Sequence, residues 1–146
     1  MAKIMRLIDL DPRFVRLEHV TETWTRVVGD PSTWKHGDPT EQVTSLREHH
    51  IYVDDLVEAH GIFFKCPKCY MADPKLGHGI HGILCWFTGR GVPDETKPSP
   101  GRWIPKGTCY LDLTLSNPSG KSSVKLTPPG CDAHFHVANG AVIMAP

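Results

Sequence analysis

Two tetrapeptides constrain this chain more than any other feature. Cys66-Pro67-Lys68-Cys69 and Cys131-Asp132-Ala133-His134 have the same spacing and together offer three thiols and an imidazole. A metal ion that takes all four forces residues far apart in sequence to meet in the fold. A structural zinc needs four nitrogen or sulfur ligands in a tetrahedron, and thiolate and imidazole suit it. The two-residue gap lets both ligands of a pair converge while nearby backbone amides stabilise thiolate charge. Gly130 permits a positive φ just before the second pair. The expected site is one Zn2+ held by Cys66, Cys69, Cys131 and His134. Four protein ligands leave no position for water, which marks a structural metal. Small zinc modules couple folding to metal with apparent energies of about 10–16 kcal/mol.

Two other histidines compete for this site. On a strand His134 and His136 point to one face, and Phe135 and Val137 to the other. Either histidine can then reach the metal, and spacing favours His134. His81 opens an apolar strand just after the first pair. It reads as a hydrogen-bonded structural histidine, a spare ligand, or a support for the metal ligands. His78 reads as exposed in a Gly-rich turn. A redox reading of Cys66 and Cys69 needs a helix whose N-terminus lowers a thiol pKa. Asp73-Pro74 stops any such helix within about two turns. Cys85, between Leu84 and Trp86 in an apolar strand, and Cys109, which alternates with leucines, read as small core residues.

The strands follow from period-2 patterning and turn residues. KIMRLI and RFVRLEHV flank a turn at Asp11-Pro12, and residues 23–28 form a further strand. Residues 29–42 and 88–107, rich in Gly and Pro, read as long loops. They carry Trp34 and Trp103, which either pin those loops or face a partner. Trp24 and Trp86 read as core. DDLVEAH reads as a short helix capped by Asp54 or Asp55 and ended by Gly61. GIFF and HGILCWF read as apolar strands. In TCYLDLTL the alternation puts Cys109, Leu111, Leu113 and Leu115 on one face. SSVKLT is a short strand. Asn139-Gly140 between two apolar runs predicts a two-residue type I′ hairpin. The expected fold is mostly β, a small sandwich or barrel-like antiparallel sheet with one short helix and a zinc knuckle. It is a single domain over residues 1–146, with residues 1–45 as N-terminal strands and a loop arm and 46–146 as the zinc-knuckle core.

Charge and motifs narrow the function. The 146 residues carry sixteen basic and sixteen acidic side chains, so no global basic field draws nucleic acid. No apolar run approaches the ~20 residues of a membrane span. The N-terminus has no secretory h-region, so no export by a signal peptide is expected. Five cysteines, an odd number, then favour metal chemistry over a disulfide framework. There is no H-E-x-x-H, no H-x-E of a zinc deaminase, no G-x-S-x-G and no P-loop.

CPKC, HGILCWF, PGRWIPKGT, LDLTL and GCDAHFHVANG together resemble a family of small proteins of unassigned function encoded by tailed phages and prophages. The resemblance covers about residues 46–143. It implies Cys66, Cys69, Cys131 and His134 as ligands, places His136 where an aromatic residue is usual, and matches His81 to a recurrent histidine. The chain departs from the pattern at Cys109, where Gly is usual, near Leu111, where a second Asp is usual, and in SNPSG, one residue longer than the usual turn. The resulting expectation is a phage-encoded, non-enzymatic structural or interaction protein, such as a capsid decoration or head/tail accessory component. Its partner would be a viral structural protein or a second copy, and its place the virion or host cytoplasm. The alternatives are an intracellular accessory protein that binds a host factor, and a thiol-redox or metal-dependent enzyme.

Overall fold

The computed structural model describes residues 4–72, 81–99, 101–117, 123–125 and 133–145. Cys131, Gly130 and His78 lie outside the described residues. The protein is mostly β, with antiparallel sheets and, among the described residues, one short α-helix. The chain divides into two compact units: residues 1–16 with 52–146, and residues 17–51. Among the described residues no helix is long and apolar enough to cross a membrane.

The first unit contains a four-stranded sheet made of β1 (Ile4–Arg6), β8 (Ser123–Lys125), β9 (His134–Ala138) and β10 (Ala141–Met144), in the order β1-β10-β9-β8. A second sheet pairs Arg13–Val15, the start of β2 (Arg13–Val27), with β4 (Gly61–Lys65), and β4 with β5 (Gly82–Trp86). A short ribbon joins β6 (Ile104–Lys106) to β7 (Thr114–Ser116). Apolar side chains of the two larger sheets share one core. Phe14, Ile62, Phe64 and Cys85 come from one, and Phe135, Val137 and Val142 from the other. The Phe64 and Phe135 rings meet edge to face with centroids 5.9 Å apart, a geometry that favours aromatic pairs. Phe135 and Val137 are buried, as strand alternation predicts.

The Asn139-Gly140 turn closes the β9–β10 hairpin, with φ of 49° and 75°. Both central residues therefore adopt the left-handed conformation that a type I′ turn demands. The turn is also plugged into the fold. Gly140 N–H donates to Leu113 O and its carbonyl accepts from Leu7 N–H, both at 2.8 Å. A Cβ on Gly140 would strike the Leu111 carbonyl.

Several elements differ from the sequence expectation. DDLVEAH holds a single 3-10 turn at Leu56–Glu58, and Gly61 opens β4. Ala59 is extended, and the Arg90 guanidinium takes the Leu56, Val57 and Ala59 carbonyls at 3.1, 3.2 and 2.6 Å. A remote arginine thus satisfies acceptors that a longer helix would have used. The α-helix is instead α1 (Pro67–Ala72). In TCYLDLTL only Leu113 and Leu115 are buried; Leu111 and Cys109 are exposed. The strand begins at Thr114 because Asp112 folds the preceding segment into a turn. Its carboxylate accepts from Thr108 N, Cys109 N and Thr108 Oγ1, each at 2.8 Å. Cys85 is core, and burial pushes its thiol up to about 12. Trp86 is core too, donating Nε1–H to Lys97 O.

The loop after β5 is pinned, with Arg102 donating to the carbonyls of Pro93, Asp94, Thr96, Pro98 and Gly101. That loop delivers Trp103 beside β5, where Trp103 N–H donates to Trp86 O and Trp103 O accepts from Thr88 N–H.

The second unit is a two-stranded hairpin. The remainder of β2 runs beside β3 (Thr40–Val53), joined by the turn segment 28–39. RFVRLEHV and the 23–28 segment are thus one strand. Trp24 is 40% exposed, with the Arg47 guanidinium 5.8 Å over its ring, so it is not core.

Two outcomes test this account. Gly140→Ala adds a left-handed strain and a backbone collision, and should lower unfolding free energy by about 2–3 kcal/mol in denaturant titrations. The hydrogen bonds from Cys109, then Thr108, hold the Asp112 carboxyl at about 2, below its ordinary 3.8. A depressed carboxylate adds stability above its unfolded pKa and loses it as pH falls through the folded value. Melting temperature should therefore fall less steeply between about pH 4 and pH 2 in Asp112→Asn than in the native chain; equal slopes would contradict the turn's role.

Candidate metal centre

β4 is an apolar strand whose alternation buries Ile62 and Phe64. It delivers Cys66 to the edge of the core, where that residue is fully buried. Proline suits the first helical position, because its fixed φ is helical and its missing N–H is not needed there. Pro67 accordingly starts α1 directly after Cys66. Cys66 belongs to both elements. Its N–H donates to His81 O at 2.9 Å, and its carbonyl accepts from Tyr70 N–H at 2.9 Å. Cys69 lies one helical turn on, so both sulfurs face one side. Within the described residues the helix spans Pro67–Ala72, and Asp73-Pro74 lies outside them.

His81 comes from the opposite strand. The β4–β5 ladder pairs Lys65 with Gly82, and the Cys66–His81 bond extends it by one step. The Phe63 ring lies where a Cβ on Gly82 would sit. Glycine there lets β5 pass under that ring and sets His81 at the ladder's end. The result is a cluster of Cys66, Cys69 and His81 whose ligand atoms all lie within 4.8 Å of one another. A tetrahedral centre with metal–sulfur bonds of ~2.3 Å and metal–nitrogen bonds of ~2.0 Å needs ligand separations of roughly 3.3–3.8 Å.

The chemistry of the donors fits a metal. His81 Nε2 is buried and has no hydrogen-bond partner among the described residues. A buried, unsatisfied imidazole nitrogen is costly. Beside two thiols, a bound cation would remove that cost. None of the described cysteines is in a disulfide. The cluster can therefore hold a metal ion through two sulfurs and one nitrogen.

The sequence-derived candidates divide. Cys66 and Cys69 come together, and His81 joins them in the cluster that could hold a metal ion. Cys131 lies outside the described residues. His134 opens β9, where its carbonyl accepts from Ala145 N–H, and it is not a member of the cluster. His134 and His136 share a face of β9, with ring centroids 6.2 Å apart. Trp34 pins its own turn by donating Nε1–H to Pro39 O at 3.1 Å. Trp103 is half-buried against the core and lines a cleft beside Gly82–Cys85 with Val124 and Lys125. The sequence signal for His81 was strand register: pairing GIFFK with GILCW places the residue after one opposite the residue before the other.

No family model, curated protein or solved structure matches this chain.

Metal bound at this cluster should depend on each of its three ligands. Purified Cys66→Ser, Cys69→Ser and His81→Ala should carry well under one metal per chain by elemental analysis. Cys109→Ser, which alters an exposed thiol outside the cluster, should retain the native content.

Proposed function

We propose that this chain is a phage-encoded, non-enzymatic protein stabilised by a structural zinc, and that it serves as a structural or interaction component of the virion, such as a capsid decoration or head/tail accessory protein. One observation carries the reading: two thiols and an unsatisfied imidazole converge where β4, α1 and β5 meet. Zinc is the metal best suited to a mixed sulfur and imidazole set, and its preference for four ligands calls for one more. Cys131 is the sequence's candidate, through its pairing with His134 and the phage-family pattern. A metal that ties strand, helix and strand together contributes to folding instead of chemistry. The hairpin of the second unit exposes most of its side chains, which offer contact surface.

X-ray absorption on the native protein and on Cys131→Ser tests the metal half of this reading. The expected shell contains three sulfurs and one nitrogen and loses a sulfur in the variant. Metal-free protein with a reversible Cys66–Cys69 disulfide would overturn it in favour of thiol redox chemistry. Peptide mass analysis of purified particles tests the other half. The protein should co-purify with virions, and its absence from them would remove the virion role.

A further inference from the structure

The hairpin of the second unit ends in an open edge. β3 has β2 on one side and, among the described residues, no strand on the other. A long edge strand with free N–H and C=O groups is a template for another chain, unless proline, lysine or a bulge blunts it. The fourteen residues of β3, TEQVTSLREHHIYV, include no proline, glycine or lysine. An isolated two-stranded hairpin is also marginal in water and gains from a further strand.

The register at that edge can be read from the contacts across the hairpin. Val28 N–H donates to Pro39 O at 3.2 Å. Thr23 meets Thr44, Thr25 meets Gln42, Arg26 meets Glu41 and His19 meets Glu48. These contacts share one register from the turn to Glu48. Antiparallel geometry then turns the backbone groups of Thr40, Gln42, Thr44, Leu46 and Glu48 toward the free edge.

We propose that β3 pairs with β3 of a second copy of this chain, antiparallel, about a two-fold axis at Thr44. Charge selects the partner and the register. With the axis at Thr44, Glu41 lies opposite the partner's Arg47, and the symmetry repeats that pair on the other side. Both fall at a non-hydrogen-bonded position, where facing residues are closest and opposite charges stabilise. Gln42 then bonds across to the partner's Leu46, and Thr40 to the partner's Glu48. An axis at Leu46 would set Arg47 against the partner's Ser45 and lose both ion pairs. An axis at Gln42 would set Glu41 against the partner's Val43 and run into the turn. The contact is isologous and closes on itself, so it makes a dimer and not a fibre. The proposal rests on reading the hairpin as the chain's interaction element, and its test is independent of metal content and of particle association.

Sedimentation equilibrium of the full chain as purified should give twice the 16.3 kDa protomer mass. E41R alone and R47E alone each bring like charges together at both 41–47 contacts. Each should weaken dimerisation at least about tenfold. Mixed in equal amounts, the two variants should dimerise again, because every 41–47 contact in the mixed dimer joins opposite charges. Circular dichroism confirms that each variant is folded before mixing. A monomeric native chain, an open-ended assembly, single variants that dimerise as well as the native chain, or a mixture that stays monomeric would each overturn the proposal.

Discussion

The bond from Cys66 N–H to His81 O is the last rung of the β4–β5 ladder, and the candidate centre depends on it. It fixes the distance between a strand that ends and a strand that begins. The carbonyl of the same residue opens α1, so the turn carrying Cys69 is aimed by the sheet. One backbone unit therefore sets the position of all three side chains of the cluster. Cys66 is itself fully buried at that end of the ladder.

The arrangement also explains how the first unit combines short strands with a defined centre. Its sheets are held to one another by side chains, chiefly the Phe64–Phe135 contact and its aliphatic neighbours. Its loops are held by arginines whose guanidinium groups collect backbone carbonyls. Arg90 and Arg102 act as surrogate caps for chain segments that cannot pair with strands. Each offers five donors in a rigid fork, which suits a cluster of converging acceptors. The cluster of two sulfurs and one nitrogen is then placed by elements that are already rigid.

Much of this was legible in the sequence, and what was missed has a common cause. The apolar strands β4 and β5, the Asn-Gly hairpin and the Cys66–Cys69 pair are local patterns, with partners within a few residues or a period that repeats. The 3-10 turn at Leu56–Glu58 depends on Arg90, and the exposed placement of Leu111 depends on Asp112 capturing three donors. Neither competitor shows in a hydrophobic pattern. Trp24 read as core because it lies in a strand, yet the buried positions of β2 are confined to its beginning. His81 followed the same rule from the opposite direction. Spacing motifs point to residues on one stretch of chain, whereas His81 arrives through the pairing of two strands.

The pairing of β1 with β10 sets Ile4 opposite Ile143 and so joins the two extremes of the described chain in one ladder. During synthesis the first strand emerges long before its hydrogen-bonding partner exists. Its backbone groups must stay solvated until the β9–β10 hairpin forms and offers an edge. Contacts of such long sequence separation slow folding, because loop closure precedes any reward. The local hairpin can form early and act as the template, leaving the docking of β1, with Leu7 N–H reaching the Gly140 carbonyl, as the late step that seals the sheet.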